Sequence, residues 1–269
     1  MLHHHVKTIR AGIRSRDKLR ILVSLLLSRT RSEVALRAVL PKLVNSISEV
    51  MDAVIKGVHV NVDGVKYVLV DEESPGIVSN EYEDWIWRRL NVKDEEVFLD
   101  VGAHIGKYAL RIAKTVKTSK VVAVEANPEN FNALRTGVKL NGLDNVIALN
   151  LAAWNTSQAM KLYLSSYGGR HSLKANHRMG YVVVKAEPLD QTLRRVGLDK
   201  VDWIKIDVEG AEGEVFRGLR QTIERCRPHI IFESRSNLNL PELRYLRRLG
   251  YKFEIIAAHP DFSDCIAVP

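Results

Sequence analysis

From residue 97 onward, short unbroken apolar runs alternate with longer segments of helical periodicity. The runs 97–101 (VFLDV), 120–124 (KVVAV), 145–150 (NVIALN), 201–206 (VDWIKI) and 229–233 (HIIFE) are rich in Val, Ile and Leu. They show little apolar–polar alternation, which is how strands of a parallel sheet covered on both faces read. Between them, 106–116, 128–140, 211–225 and 241–248 fit helices. Pro128 suits a first helical turn, and Asn141-Gly142 suits a helix end. Two tail runs, 252–257 and 264–268, add strands on either side of Pro260. The pattern predicts an α/β fold: a Rossmann-like, doubly wound, mostly parallel seven-stranded sheet. Ligands of such a sheet lie beyond the carboxyl ends of its strands. Between 151 and 200 the rhythm breaks. There "MKLYLSS" and "YVVVKAEPLD" read as strands around a glycine-containing loop, "YGGRHSLKANHRMG".

Upstream of 97 the pattern differs. "VHVNVDGVKYVLV" (58–70) alternates apolar and polar about Asp63-Gly64, a hairpin signal. Residues 6–57 read as helices, with Ser32 as a cap, Val34, Leu36, Val39 and Leu40 on an inner face, and Pro41 as a break. "NEYEDWIWRRL" (80–90) reads as a helix with Trp85, Ile86 and Leu90 inward. The division expected is a basic helical extension plus hairpin over 1–78 and the sheet domain over 79–269.

Composition sharpens this. At 269 residues and 46% apolar, the chain can bury a sizeable core, one large domain with an appendage. The longest apolar candidate, Ile21 to Leu27, is too short to span a bilayer, and the basic Ser28-Arg29-Thr30-Arg31 that follows is no cleavage site. The net charge of +8 is concentrated: residues 1–42 hold ten Lys or Arg against Asp17 and Glu33, so the remainder nets zero. Such an arm binds nucleic acid or an anionic membrane surface, or is a solvated helix face. Cys226 and Cys265 make no disulfide framework and read as reduced, buried thiols of a cytoplasmic protein. His3-His4-His5 is a weak metal signal, and the three glutamines lean towards a heat-adapted source.

The chemistry starts at "VFLDVGAHIGKYAL", where the first parallel strand ends on Asp100 and two glycines follow, Gly102 and Gly106. Gly102 lets a ligand approach the backbone, and Gly106 lets the helix pack close to the strand. An acid in that loop repels a phosphate. Glu125 ends the second strand, 19 residues past Gly106, where a carboxylate suits a ribose diol. A ligand with a ribose, no pyrophosphate and positive charge fits both acids, and S-adenosylmethionine is such a ligand. Helix-dipole or capping roles for the same acids are the alternative. The missing third glycine disfavours a dinucleotide.

"FLDVGAHIG", "VVAVEANPENFNAL" and above all "VDWIKIDVEGAEGEVFRG" resemble the FkbM-type family of class I methyltransferases, over roughly 80–235. "AEPLDQTL" matches the same layout. The resemblance implies a Rossmann-like fold, S-adenosylmethionine, and O-methylation of a sugar or small-molecule hydroxyl. The cofactor site then comprises Asp100, Gly102, His104, Gly106, Glu125, Ala126, Asn127, Ala152, Ala153 and Asp207. His104 stands where the family more often has Asn.

A hydroxyl acceptor needs a base, and the candidates are Asp207, Glu209, His171 and Glu233. Asp207 is favoured by its place at the end of the fourth strand. Glu209 could instead cap a helix, and His171 could sit in a plain surface turn. Asp207 and Glu233 together could hold a hard cation, but no third ligand is evident, so no metal is assigned. Lys205 lies inside its strand and receives no role. The partners expected are a small-molecule or glycan acceptor, with RNA as the alternative through the basic residues 1–42. The N-terminal helices could form a homodimer, close over the site, or touch a membrane surface.

Overall fold

The computed structural model describes residues 12–31, 50–165, 168–174, 179–235 and 241–269. Its centre is a seven-stranded sheet. The strands are β3 (Val97–Val101), β4 (Lys120–Glu125), β5 (Val146–Asn150), β9 (Trp203–Ile206), β10 (His229–Ser234), β11 (Lys252–Ala258) and β12 (Ser263–Val268), in the order β11-β12-β10-β9-β3-β4-β5. The five central and edge strands from β10 to β5 run parallel, and β12 runs antiparallel between β10 and β11. The predicted runs match these strands to within two residues at each end. The central runs match because they are closed in on both faces: Phe98, Leu99, Ile204 and Ile206 are fully buried.

The helices on this sheet are α4 (Lys107–Thr115), α5 (Pro128–Asn141), α6 (Leu189–Arg195), α7 (Glu212–Gly218), α8 (Arg220–Cys226) and α9 (Pro241–Arg248). Asn127 caps α5, its side chain accepting from the amides of Glu129 and Asn130, and Gly142 ends it at φ 63°. The helix expected over 211–225 is two helices, broken at Leu219. Beside the break, a Cβ on Gly218 would lie 2.2 Å from the carbonyl oxygen of Trp154, so backbone packs on backbone there.

The hairpin forms as expected. Strands β1 (His59–Val62) and β2 (Val65–Val68) pair through the two-residue turn Asp63-Gly64, both at positive φ. Before it lie α1 (Ser15–Arg31) and a helical segment at 50–55. The expected Ser32 cap and Pro41 break lie outside the described residues. Ile21, Ile55, Val60 and Tyr67 join Phe98, Leu110 and Leu134 in one buried cluster, so the hairpin and α1 share a core with one face of the sheet. Between β2 and β3, helix α2 (Ser74–Ile77) and helix α3 (Asp84–Trp87) are single turns. The longer helix expected over 80–90 is thus cut short at its start, where Glu83 is left-handed at φ 55°.

A second, three-stranded sheet fills 152–187, in the order β6 (Ala152–Ala153), β8 (Tyr181–Glu187) and β7 (Gln158–Tyr163). β8 stops at Glu187, earlier than the pattern suggested, because Pro188 opens α6. Cys265 is buried, whereas Cys226 is only half-buried and donates to the Asp199 carbonyl. Among the described residues no helix is long and apolar enough to cross a membrane.

Candidate functional site

The carboxyl ends of β3, β4, β9 and β10 open into a cavity of about 860 Å³, inside the roughly 300–1,000 Å³ range of small-ligand sites. The glycine loop forms its floor. Gly102 turns at φ +83°, and its amide and that of Ala103 both donate to the Val124 carbonyl, at 2.9 and 3.0 Å. A Cβ on Gly102 would lie 1.7 Å from the carbonyl oxygen of Asp207, so no side chain fits. Gly106, at φ +94°, packs against Leu110 and Leu134 and lets α4 approach α5. Its role is packing, and it does not line the cavity.

Glu125 ties the loop down. One carboxylate oxygen accepts the His104 amide and the other the Asn127 amide, both at 2.8 Å. Ala126, Ala152 and Ala153 line the cavity beside it, while Asn127 is occupied as the cap of α5. His104 sits at φ 51°, and its Nε2 is buried with no hydrogen-bond partner among the described residues. Burial pushes this ring down to about 4, so it is neutral. Asp100 lies beneath the floor, 1% exposed, rather than on the wall. Its Oδ2 accepts the Ala109 amide at 3.1 Å, and its Oδ1 has no partner among the described residues.

Of the four proposed bases, all line the cavity. Asp207 is paired with Lys205, Nζ to Oδ2, at 3.1 Å. Glu233 and Glu209 share the guanidinium of Arg235. His171 accepts the Ser165 amide on Nδ1 at 3.0 Å, so its neutral ring carries the proton on Nε2. Glu209 does not cap the following helix; Glu212 accepts the Gly210 amide there instead. Among the described residues no group of three or more His, Cys, Asp or Glu side chains could hold a metal ion. Lys205 and Arg235 stand against the carboxylates where a cation would have been placed.

Lys205 is the residue the sequence reading left without a role. It is 4% exposed, lines the cavity, and lies 4.8 Å above the Tyr108 ring. Burial opposes its charge, but Asp207, Glu83 and Asp100 outweigh burial and hold the ammonium above its ordinary range. The signal was present: Lys205 precedes Asp207 by two residues, so along an extended strand both face the same way. Glu83 reaches the Tyr108 hydroxyl at 2.6 Å and Lys107 at 3.3 Å, and burial brings Lys107 down to about 8. A further wall comes from the tail, with Phe262 and with Asp264, which accepts from Trp85 Nε1 at 2.8 Å. Among the described lining residues nine are Asp or Glu and four are Lys or Arg.

Crowded acids in a low-dielectric cavity hold protons. Burial raises Asp100 to about 6, Glu125 to about 7, Glu209 to about 7 and Glu233 to about 8, the last two helped by Asp207. A carboxyl raised in the fold binds more protons folded than unfolded. Its destabilising effect is therefore absent below its unfolded value near 4 and complete above the folded values of about 6 to 8. The midpoint of thermal unfolding of the ligand-free protein should fall as pH rises from about 5 to about 8. Glu233→Gln should flatten that slope; an identical slope in the variant would remove Glu233 as a contributor.

Residues 100–253 match the Methyltransferase FkbM domain family. The chain belongs to the FkbM methyltransferase family. Among curated proteins, this FkbM methyltransferase is 26% identical over 193 residues to the methyltransferase sdnD of Sordaria araneosa, covering 60% of the chain and 74% of that protein. It is 25% identical over 189 residues to the 2-O-methyltransferase NoeI of Sinorhizobium fredii, covering 62% and 76%. A solved FkbM methyltransferase from Methylobacillus flagellatus superposes with a TM-score of 0.53 at 14% identity, covering 99% of this chain but 58% of that one. That likeness speaks for the fold, a class I methyltransferase sheet.

Proposed function

We propose that the protein is an S-adenosylmethionine-dependent O-methyltransferase acting on a hydroxyl of a sugar, glycolipid or other small molecule. The observation that carries this reading is the loop–acid pair: a glycine turn with no room for a side chain, tied to a buried carboxylate, Glu125, at the end of the next strand. The residues fit the cofactor. Glu125 would accept from a ribose diol on its remaining lone pairs, and His104, whose buried Nε2 has no partner among the described residues, lines the cavity beside it. Ala126, Ala152 and Ala153 offer a small apolar surface for a base, and Asp207 with Asp100 beneath it supplies negative potential for a cation. Bound there, S-adenosylmethionine supplies an electrophilic methyl group. The name of the Sinorhizobium relative, a 2-O-methyltransferase, favours a hydroxyl acceptor.

The chain's own part is alignment and proton removal. Lys205 is held charged, so it donates rather than accepts. His171 presents an N–H from Nε2, so it too is a donor in this conformation. Asp207 is engaged by Lys205. Glu209, raised to about 7 and strained at φ 53°, is poised to take a hydroxyl proton near neutral pH, with Arg235 settling the charge. The wall of nine acids against four bases disfavours a phosphate-rich polymer, so RNA is not the acceptor in this reading.

Calorimetric titration with S-adenosylmethionine and S-adenosylhomocysteine, with NAD as a control, tests the first half. Both should bind and NAD should not. Glu125→Gln should weaken both by about 10–100-fold, the worth of one hydrogen bond made by a charged group. Unchanged affinity would remove Glu125 from the site. Glu209→Gln should keep cofactor affinity and lose methyl transfer to a panel of sugars.

A further inference from the structure

Helix α1 presents an unusual outer face. Leu19, Leu22 and Val23 are 62%, 40% and 37% exposed, and spacings of three and four put them on one side. Ile13, just before the helix, is 39% exposed. Arg16 and Lys18 are exposed beside this row. The opposite side, with Asp17, Ile21 and Ser24, is buried against the body. The helix is held firmly there. The Ile13 amide donates to the His59 carbonyl at 3.0 Å, and Arg14 pairs with Asp17. Arg20 forks onto the last carbonyls of the 50–55 helix, reaching Ala53, Val54 and Lys56. An apolar row this exposed is therefore fixed in place and not a frayed end.

We propose that α1 docks the protein on an anionic lipid surface. Three observations select that occupant. The row is apolar and flanked by long basic side chains, the composition of a helix lying in a membrane interface, where Lys and Arg stems run along the apolar layer and their heads reach the phosphates. All of the chain's net charge of +8 falls in residues 1–42, which contain α1, so attraction to negative headgroups is concentrated there. A second copy of the chain is disfavoured, because pairing this face would bring two such segments together. A nucleic acid would use the charge and leave Leu19, Leu22 and Val23 without purpose. Contacts also run from the docked helix to the site: the 50–55 helix that Arg20 caps carries Asp52, which accepts the Glu72 amide at 2.9 Å, and Glu72 lines the cavity.

The test is co-sedimentation of the full-length protein with two kinds of vesicle: phosphatidylcholine alone, and phosphatidylcholine mixed with phosphatidylglycerol. Binding is expected to the mixed vesicles only, and to weaken as salt is raised. Leu19→Asp with Leu22→Asp, both exposed and harmless to the core, should lower the bound fraction about tenfold or more. Arg16→Glu with Lys18→Glu should lower it by a similar factor. Four results overturn the proposal: no binding, equal binding to both vesicles, binding unchanged in the leucine variant, or a dimer that the leucine variant abolishes while vesicles stay unbound. S-adenosylmethionine affinity measured on the same variants should not change, so this proposal and the cofactor reading fail separately.

Discussion

Gly102→Ala should leave a protein that unfolds at markedly lower temperature and no longer binds its cofactor. The new Cβ would meet the carbonyl oxygen of Asp207 at 1.7 Å and its carbonyl carbon at 2.8 Å, and neither belongs to a flexible side chain. Asp207 cannot step aside, because its amide is tied to the Val101 carbonyl at 2.9 Å where β3 and β9 pair. The φ of +83° adds strain of its own. Positive φ and overpacking together should cost about 2–4 kcal/mol, or roughly 5–12 °C for a chain of this size. A loop displaced by about 1 Å loses on the order of 100-fold in function. Gly142→Ala is the control: it also has positive φ, at 63°, but nothing lies within 4 Å of its Cβ. That variant should lose only about 1 kcal/mol and bind normally. If the two variants behave alike, the close approach of Gly102 to β9 is not what the site needs.

Asp207→Asn is the second large effect. Lys205 is a buried ammonium whose nearest anion is Asp207, and removing one partner of such a pair costs about 3–5 kcal/mol when both are fully buried. Asp207 is 34% exposed, and Asp100 and Glu83 still act on Lys205. About 2–3 kcal/mol is therefore the expected loss. Lys205→Met should also destabilise, because Asp207 and the buried Asp100 lose their counter-ion. The double variant should recover part of both losses, giving a coupling of about 1–3 kcal/mol by denaturant unfolding. Additive losses would mean that the two groups do not act as a pair. Both single variants should abolish methyl transfer, and Asp207→Asn should also weaken the cofactor.

The central strands were legible because each is a mostly apolar run, and the hairpin because Asp63-Gly64 takes the positive φ its turn demands. Elements decided by distant contacts were less so. Nothing local shows that Gly218 must meet the Trp154 carbonyl, that the helix divides at Leu219, or that Glu83 turns left-handed and reaches Tyr108. The site divides in the same way. Gly102, Glu125, Asp207, Glu209 and Glu233 stand at strand ends, where topology alone brings them together. Asp100 was visible but deeper than expected. Gly106 and Asn127 serve the packing and capping of α4 and α5, which the same motif also encodes. Glu72, Glu73, Phe262 and Asp264 arrive from chain segments far from the motif, and only the folded hairpin region and tail show them to be walls.

The antiparallel placement of β12 has a consequence for redesign. A strand that returns against β10 brings its first residues back to the open edge, so the turn at 259–262, closed by the His259 amide on the Phe262 carbonyl, hangs over the cavity. In the sheet order, β10 and β9 stand between β12 and the strands β3 and β4 that lead to Gly102 and Glu125. One lip of the cavity can therefore be exchanged while the other is kept. Rewriting this four-residue turn should therefore change one wall of the cavity and leave the strand ends that carry Gly102 and Glu125 in place.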